Sequence, residues 1–105
     1  MDYKLIRGTT PTRTFTLPFA THGLAVGYVS FRQKGRIVLE KKMGAPGCEC
    51  FENQISVDLS QEDTLSLIGG NKVEIQVRVR TTTDESMVST IISAYVEDVI
   101  KDGVI

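Results

Sequence analysis

The sequence predicts an all-β domain, a sandwich or small barrel of about seven short antiparallel strands. Two observations carry that expectation. In Lys72-Val73-Glu74-Ile75-Gln76-Val77-Arg78-Val79-Arg80, apolar and polar residues alternate without an error. Side chains on a strand point to opposite faces with period two, so this is a half-buried strand: Val73, Ile75, Val77 and Val79 point inward, and Glu74, Gln76, Arg78 and Arg80 point to solvent. The second observation is the recurrence of turn signals every 8–12 residues or so, a spacing that fits short strands rather than alternating β and α units.

Tyr3 to Arg7 reads as a first strand, stopped by Gly8-Thr9-Thr10-Pro11. Thr12 to Leu17 is rich in β-branched residues and ends at Pro18, which predicts a second. After a turn at Thr21-His22-Gly23 comes a strand from Ala25 to Gln33, with Val29 and Phe31 on one face. Lys34-Gly35 then turns the chain into Arg36 to Lys41, a hairpin. Gly44-Ala45-Pro46-Gly47 is irregular and leads through Cys48 and Cys50 to an alternating strand over Ile55 to Leu59. Ser60 to Leu67 is the one helical segment: Ser60 can cap the first turn, Glu62 and Asp63 sit at the positive end of the dipole, and Gly69-Gly70 stops it. The strand at Val73 follows, then the turn-like Thr82 to Ser86, then a last long strand from Val88 to Val96.

One domain over residues 1–105 fits a chain of 105 residues, and its Val, Ile, Leu and Phe content suffices for a core without metal or disulfide staples. The charged start at Asp2 and Lys4 predicts no signal peptide, and no run approaches the ~20 apolar residues of a membrane helix. The expected location is therefore a cytoplasm, with no membrane partner. Charge is unevenly spread. Residues 1–42 carry eight basic residues against Asp2 and Glu40, a net +6, and residues 43–105 carry four basic against eleven acidic, a net −7. Either strands from the two halves interleave and neutralise one another, or a basic side and an acidic side favour head-to-tail association into a homo-oligomer.

Chemistry-bearing patterns are sparse. Cys48-Glu49-Cys50 is half a thiolate metal site at most, since tetrahedral zinc wants four ligands and no second pair or histidine stands nearby in the sequence. On a strand the two thiols would share a face. His22 is the only histidine and sits in a turn, with no nucleophile elbow to accompany it. Glu62 and Asp63 are better explained as dipole partners than as an acid–base pair. No enzyme, metal site or cofactor is expected. Tyr28 and Phe31 among Arg13, Arg32, Lys34 and Arg36 form the nucleic-acid candidate, because oligonucleotide-binding barrels combine stacking aromatics with cations in this way. The acidic second half opposes it.

Ile6-Arg7-Gly8-Thr9-Thr10, Thr14 to Pro18, Tyr28 to Lys41, Val57 to Thr64, the strand at Val73 and the closing Val96 to Ile105 resemble, as a set, small proteins encoded in tailed bacteriophages and prophages of gut Firmicutes. The first half is also similar to the Ig-like N-terminal domains of phage baseplate proteins. The resemblance implies an Ig-like sandwich and a non-enzymatic virion or virion-assembly protein, present in the host cytoplasm during assembly and then in the particle, with other phage structural proteins as partners. The alternative function is a single-stranded nucleic-acid-binding barrel module. The resemblance transfers no functional residues. The residues themselves mark the tail: Val99-Ile100-Lys101-Asp102-Gly103-Val104-Ile105 ends on two apolar side chains where a terminus is ordinarily frayed and polar. Val99, Ile100, Val104 and Ile105 are thus the candidate partner contacts, docking on the domain's own flank or on a neighbour's strand edge or groove.

Overall fold

A computed structural model describes residues 3–105, so the charged start at Met1 and Asp2 lies outside the described residues. Among the described residues nine strands form two separate sheets. One has the order β1 (Tyr3–Ile6), β9 (Ile92–Glu97), β7 (Lys72–Thr81), β3 (Leu24–Gln33), β4 (Arg36–Lys42), with β8 (Ser86–Val88) alongside β7. The other has the order β2 (Thr12–Thr16), β6 (Gln54–Asp58), β5 (Cys48–Phe51). The chain passes between the sheets after β1, β2, β4 and β6, which is the Greek-key wiring of an Ig-like sandwich. Because the two sheets share no strand, the barrel alternative is excluded.

The long strand at Val73 lies where its alternation puts it. Val73, Ile75, Val77 and Val79 are all buried, and β7 runs between β3 on one side and β8 and β9 on the other. Val29 and Phe31 of β3 share the buried face and pair with Val77 and Ile75. Phe15, Ile55 and Val57 from the second sheet complete a single core cluster with Leu5, Leu67 and Val96. The Lys34-Gly35 turn is a two-residue hairpin loop between paired Gln33 and Arg36. Both central residues have positive φ, 51° and 77°, the geometry whose twist matches the flanking strands.

Four local expectations are corrected. The sheet is mixed, because β1 pairs parallel with β9, Tyr3 opposite Ala94 through Ile6 opposite Glu97. The first strand therefore closes the edge beside the last, and the strand count rises above seven. The predicted strand from Val88 to Val96 is broken into β8 and β9: Ser89 bends out, its Oγ accepting from Val77 N at 3.0 Å and its carbonyl accepting from Gln76 Nε2 at 3.0 Å. A polar residue that satisfies the β7 backbone with its own side chain interrupts the ladder there. Cys48–Phe51 is a strand, β5, paired with β6, although its sequence carries too short an alternation to announce one. Finally, the helix α1 covers only Gln61–Leu65. Ser60 caps it as expected, in a reciprocal box with Asp63: Asp63 N donates to Ser60 Oγ at 3.1 Å and Ser60 N to Asp63 Oδ2 at 2.9 Å. It ends well before Gly69, since the Ser66 hydroxyl takes the Asp63 carbonyl.

Two buried polar side chains fasten α1 and the segment after it to the sheets. Thr64 is fully buried, donates from Oγ1 to Thr9 O at 2.9 Å and accepts from Gly8 N at 3.0 Å. Gln33, at the end of β3, pairs its side-chain amide with the backbone of Ile68, accepting at 2.8 Å and donating at 3.0 Å. Each satisfies main-chain groups that burial would otherwise leave unpartnered.

Candidate partner-contact site

The site grows from the end of β1. Arg7 N extends the parallel ladder by donating to Glu97 O at 3.0 Å, and its side chain then crosses to the last turn of α1. Nη2 donates to Leu65 O at 3.1 Å, a helix-terminal carbonyl in need of a donor, and Nε to Leu67 O at 3.0 Å just beyond the helix. The same guanidinium faces the residues after β9: Nη1 lies 2.6 Å from Asp98 Oδ1 and Nη2 3.4 Å from Asp102 Oδ1. Contact with Asp98 raises the arginine's pKa, and the Arg7 hydrogen bond in turn lowers that of Asp98. Both charges are therefore fixed over the range in which proteins work.

Beyond Arg7, short local bonds shape the tail. Asp98 Oδ1 accepts from Val99 N at 2.8 Å and Asp102 Oδ1 from Gly103 N at 2.9 Å, each carboxylate taking the amide of the residue that follows it. Gly103 has φ of 90°, a value that favours glycine, and it turns the last two residues back toward α1. There Gln61 holds the terminal residue with both ends of its amide, Oε1 accepting from Ile105 N at 2.9 Å and Nε2 donating to Ile105 O at 3.2 Å.

Of the four predicted contact residues, Val99 alone is half-buried, near Gly8. Ile100 is fully exposed, Ile105 is 88% exposed and Val104 58%. The tail thus lies on its own domain's flank, but polar contacts hold it there and three apolar side chains remain in water. Sequence reasoning marked those side chains and missed the residues that mount them, Arg7 and Gln61. Their roles depend on groups far away in the chain, which nothing next to them in the sequence marks.

The other candidates are dispersed by the fold. Phe31 is buried in the core, while Tyr28 and Arg32 lie on the outer face of the larger sheet in a shallow depression of about 410 Å³ that also holds Glu40 and Glu74. Arg32 Nη2 is 3.0 Å from Glu74 Oε1, and Arg13 belongs to the other sheet, from which its Nη2 donates across to Lys4 O of β1 at 2.6 Å. The aromatics and cations of the nucleic-acid candidate do not converge. Cys48 and Cys50 both stand on β5, opposite Val57 and Ile55. Cys48 is buried and Cys50 exposed, and burial raises both thiols. His22 is exposed in a single 3-10 turn. Among the described residues no three or more His, Cys, Asp or Glu side chains are grouped so as to hold a metal ion, and no helix is long and apolar enough to cross a membrane. No family model matches the chain, and no curated protein is significantly similar to it.

Proposed function

We propose that the chain is a non-enzymatic structural protein of a tailed-phage particle or of its assembly, and that it binds a neighbouring structural protein through its C-terminal tail. One observation carries the contact role: Ile100, Val104 and Ile105 are exposed on a backbone held at one end by Arg7 and at the other by Gln61. Burying each such side chain contributes roughly 1.5–3 kcal/mol. A tail already ordered in the free protein loses little further entropy when it binds. The particle context is supported by the sequence resemblance, and the site of action follows from it: the host cytoplasm during assembly, then the virion.

The test is protein mass spectrometry of gradient-purified particles from a host that carries the gene, with the parent chain and with Ile100→Asp/Val104→Asp/Ile105→Asp. The parent is expected in particles at a fixed copy ratio, and the triple variant is expected to be absent from them while melting at the parent's temperature. Absence of the parent from particles and assembly intermediates alike would overturn the phage role. Normal incorporation of the triple variant would overturn the tail's.

A further inference from the structure

We infer that two copies of this chain associate through the free edge of β2, pairing antiparallel about Thr14 to join their three-stranded sheets into one of six strands. Among the described residues β2 ends its sheet, with β6 on one side and no strand on the other. The direction of its unused backbone groups follows from the ladder. Leu17 N donates to Asn53 O at 2.7 Å and Leu59 N to Pro11 O at 2.9 Å, so the odd-numbered residues from Pro11 to Leu17 bond toward β6. Antiparallel pairing alternates, which leaves the N–H and C=O of Thr12, Thr14 and Thr16 pointing out from the edge. Pro18, the next outward position, has no N–H and closes the strip.

That strip is complementary to itself. Around a two-fold axis at Thr14, the Thr14 of one copy faces that of the other and Thr12 faces Thr16 of the second copy. All three pairs are of the hydrogen-bonded kind, which allows about six N–H···O bonds. The outer face would carry threonine opposite threonine, a favourable cross-strand pair. Natural edges are ordinarily blunted by charge, proline or a bulge. The edge strand β4 follows that practice with Arg36, Glu40, Lys41 and Lys42. β2 does not: its register with β6 is unbroken, its interior holds no proline, and its one charge, Arg13, is turned back onto Lys4 O. The flank beside it is also open, a trough with sections of about 300 and 510 Å³ that share Leu17 and Val77 in their walls.

The inference does not depend on the tail reading, since the two surfaces are distinct. Sedimentation of the full chain across concentration is expected to show a monomer–dimer equilibrium. Thr14→Lys sets two like charges directly opposite each other and is expected to abolish the dimer at concentrations where the parent forms it, without lowering the melting temperature of the monomer. In a Cys50→Ser background, Thr14→Cys is expected to cross-link to itself under mild oxidation, because facing Cα atoms stand about 5.5 Å apart. Thr12→Cys alone is expected to stay uncross-linked, its two copies being roughly 13 Å apart, and to cross-link when mixed with Thr16→Cys. A parent that stays monomeric at every concentration overturns the inference. So does a dimer that survives Thr14→Lys, or one that is lost instead on removing residues 103–105.

Discussion

At the scale of single residues, the inward and outward faces of β7 make the sharpest contrast. Val77 is 2% exposed, whereas Arg78 lies on the outer face of the same strand. Val77→Asp would place a carboxylate with no partner in the middle of the core, at a cost of at least about 4 kcal/mol against a typical total stability of roughly 5–15 kcal/mol. Thermal melts are expected to show that variant unfolded or melting far below the parent, and Arg78→Asp melting near it. Equal tolerance of both would mean the face assignment is wrong. These positions were legible in the sequence because a strand's alternation is written in adjacent residues. Arg7, Gln33 and Thr64 were not, because each acts on main-chain groups 60, 35 and 55 positions away. Nothing next to them in the chain records that partner.

At the scale of elements, α1 is the least self-sufficient piece, since five residues are far too few for a helix to persist alone. Its capping box and an ion pair hold its start: Lys41 Nζ lies 2.7 Å from Asp63 Oδ2. Burial would raise the Asp63 pKa, but its hydrogen bonds to Lys41 and Ser60 outweigh that and lower it. A carboxyl lowered in the folded state stabilises above the unfolded value near pH 3.9, and that contribution is lost as pH falls through the lower folded value. Asp63→Asn is expected to cost roughly 0.5–2 kcal/mol at neutral pH and to flatten the melting temperature's dependence on pH below about 4. An unchanged acid limb in pH-dependent melts would remove Asp63 from that role. The end of α1 and the segment after it rest on Arg7, so Arg7→Met should cost roughly 1–3 kcal/mol through the Leu65 and Leu67 carbonyls it leaves unpartnered. It should also release the tail. Hydrogen exchange at residues 98–105 is expected to accelerate in that variant, and unchanged protection there would show that Gln61 alone suffices. The sequence announced the start of this helix through Ser60 and its acidic first turn, yet not its early end. Equally, no local pattern could say that β1 would run parallel beside β9, because pairing partners are chosen by the whole core.

At the scale of the molecule, the opposite charges of the two halves are brought together within one chain. Lys4 pairs with Glu97, Arg7 with Asp98 and Asp102, Arg32 with Glu74 and Lys41 with Asp63. Each of these contacts joins a cation from the first 42 residues to an anion from the remainder. Lys4, Arg7, Arg32 and Lys41, four of the eight cations of the first half, thus sit beside anions of β7, β9, α1 and the segment after β9, so the Greek-key wiring offsets part of the split that the sequence displays. Head-to-tail stacking of a basic side on an acidic side thereby loses much of its driving force, whereas backbone pairing along β2 draws on none of these charges. The two modes of association differ in their response to salt. Raising ionic strength from about 0.1 M to 1 M shortens the Debye length from about 10 Å to 3 Å, which weakens attraction between exposed charged surfaces and leaves main-chain hydrogen bonds and apolar contacts largely intact. Sedimentation at the two ionic strengths is therefore expected to give the same dimer fraction at a given protein concentration. A mass that falls steeply as salt rises would assign the association to residual surface charge, and the β2 edge would then remain unpaired in solution.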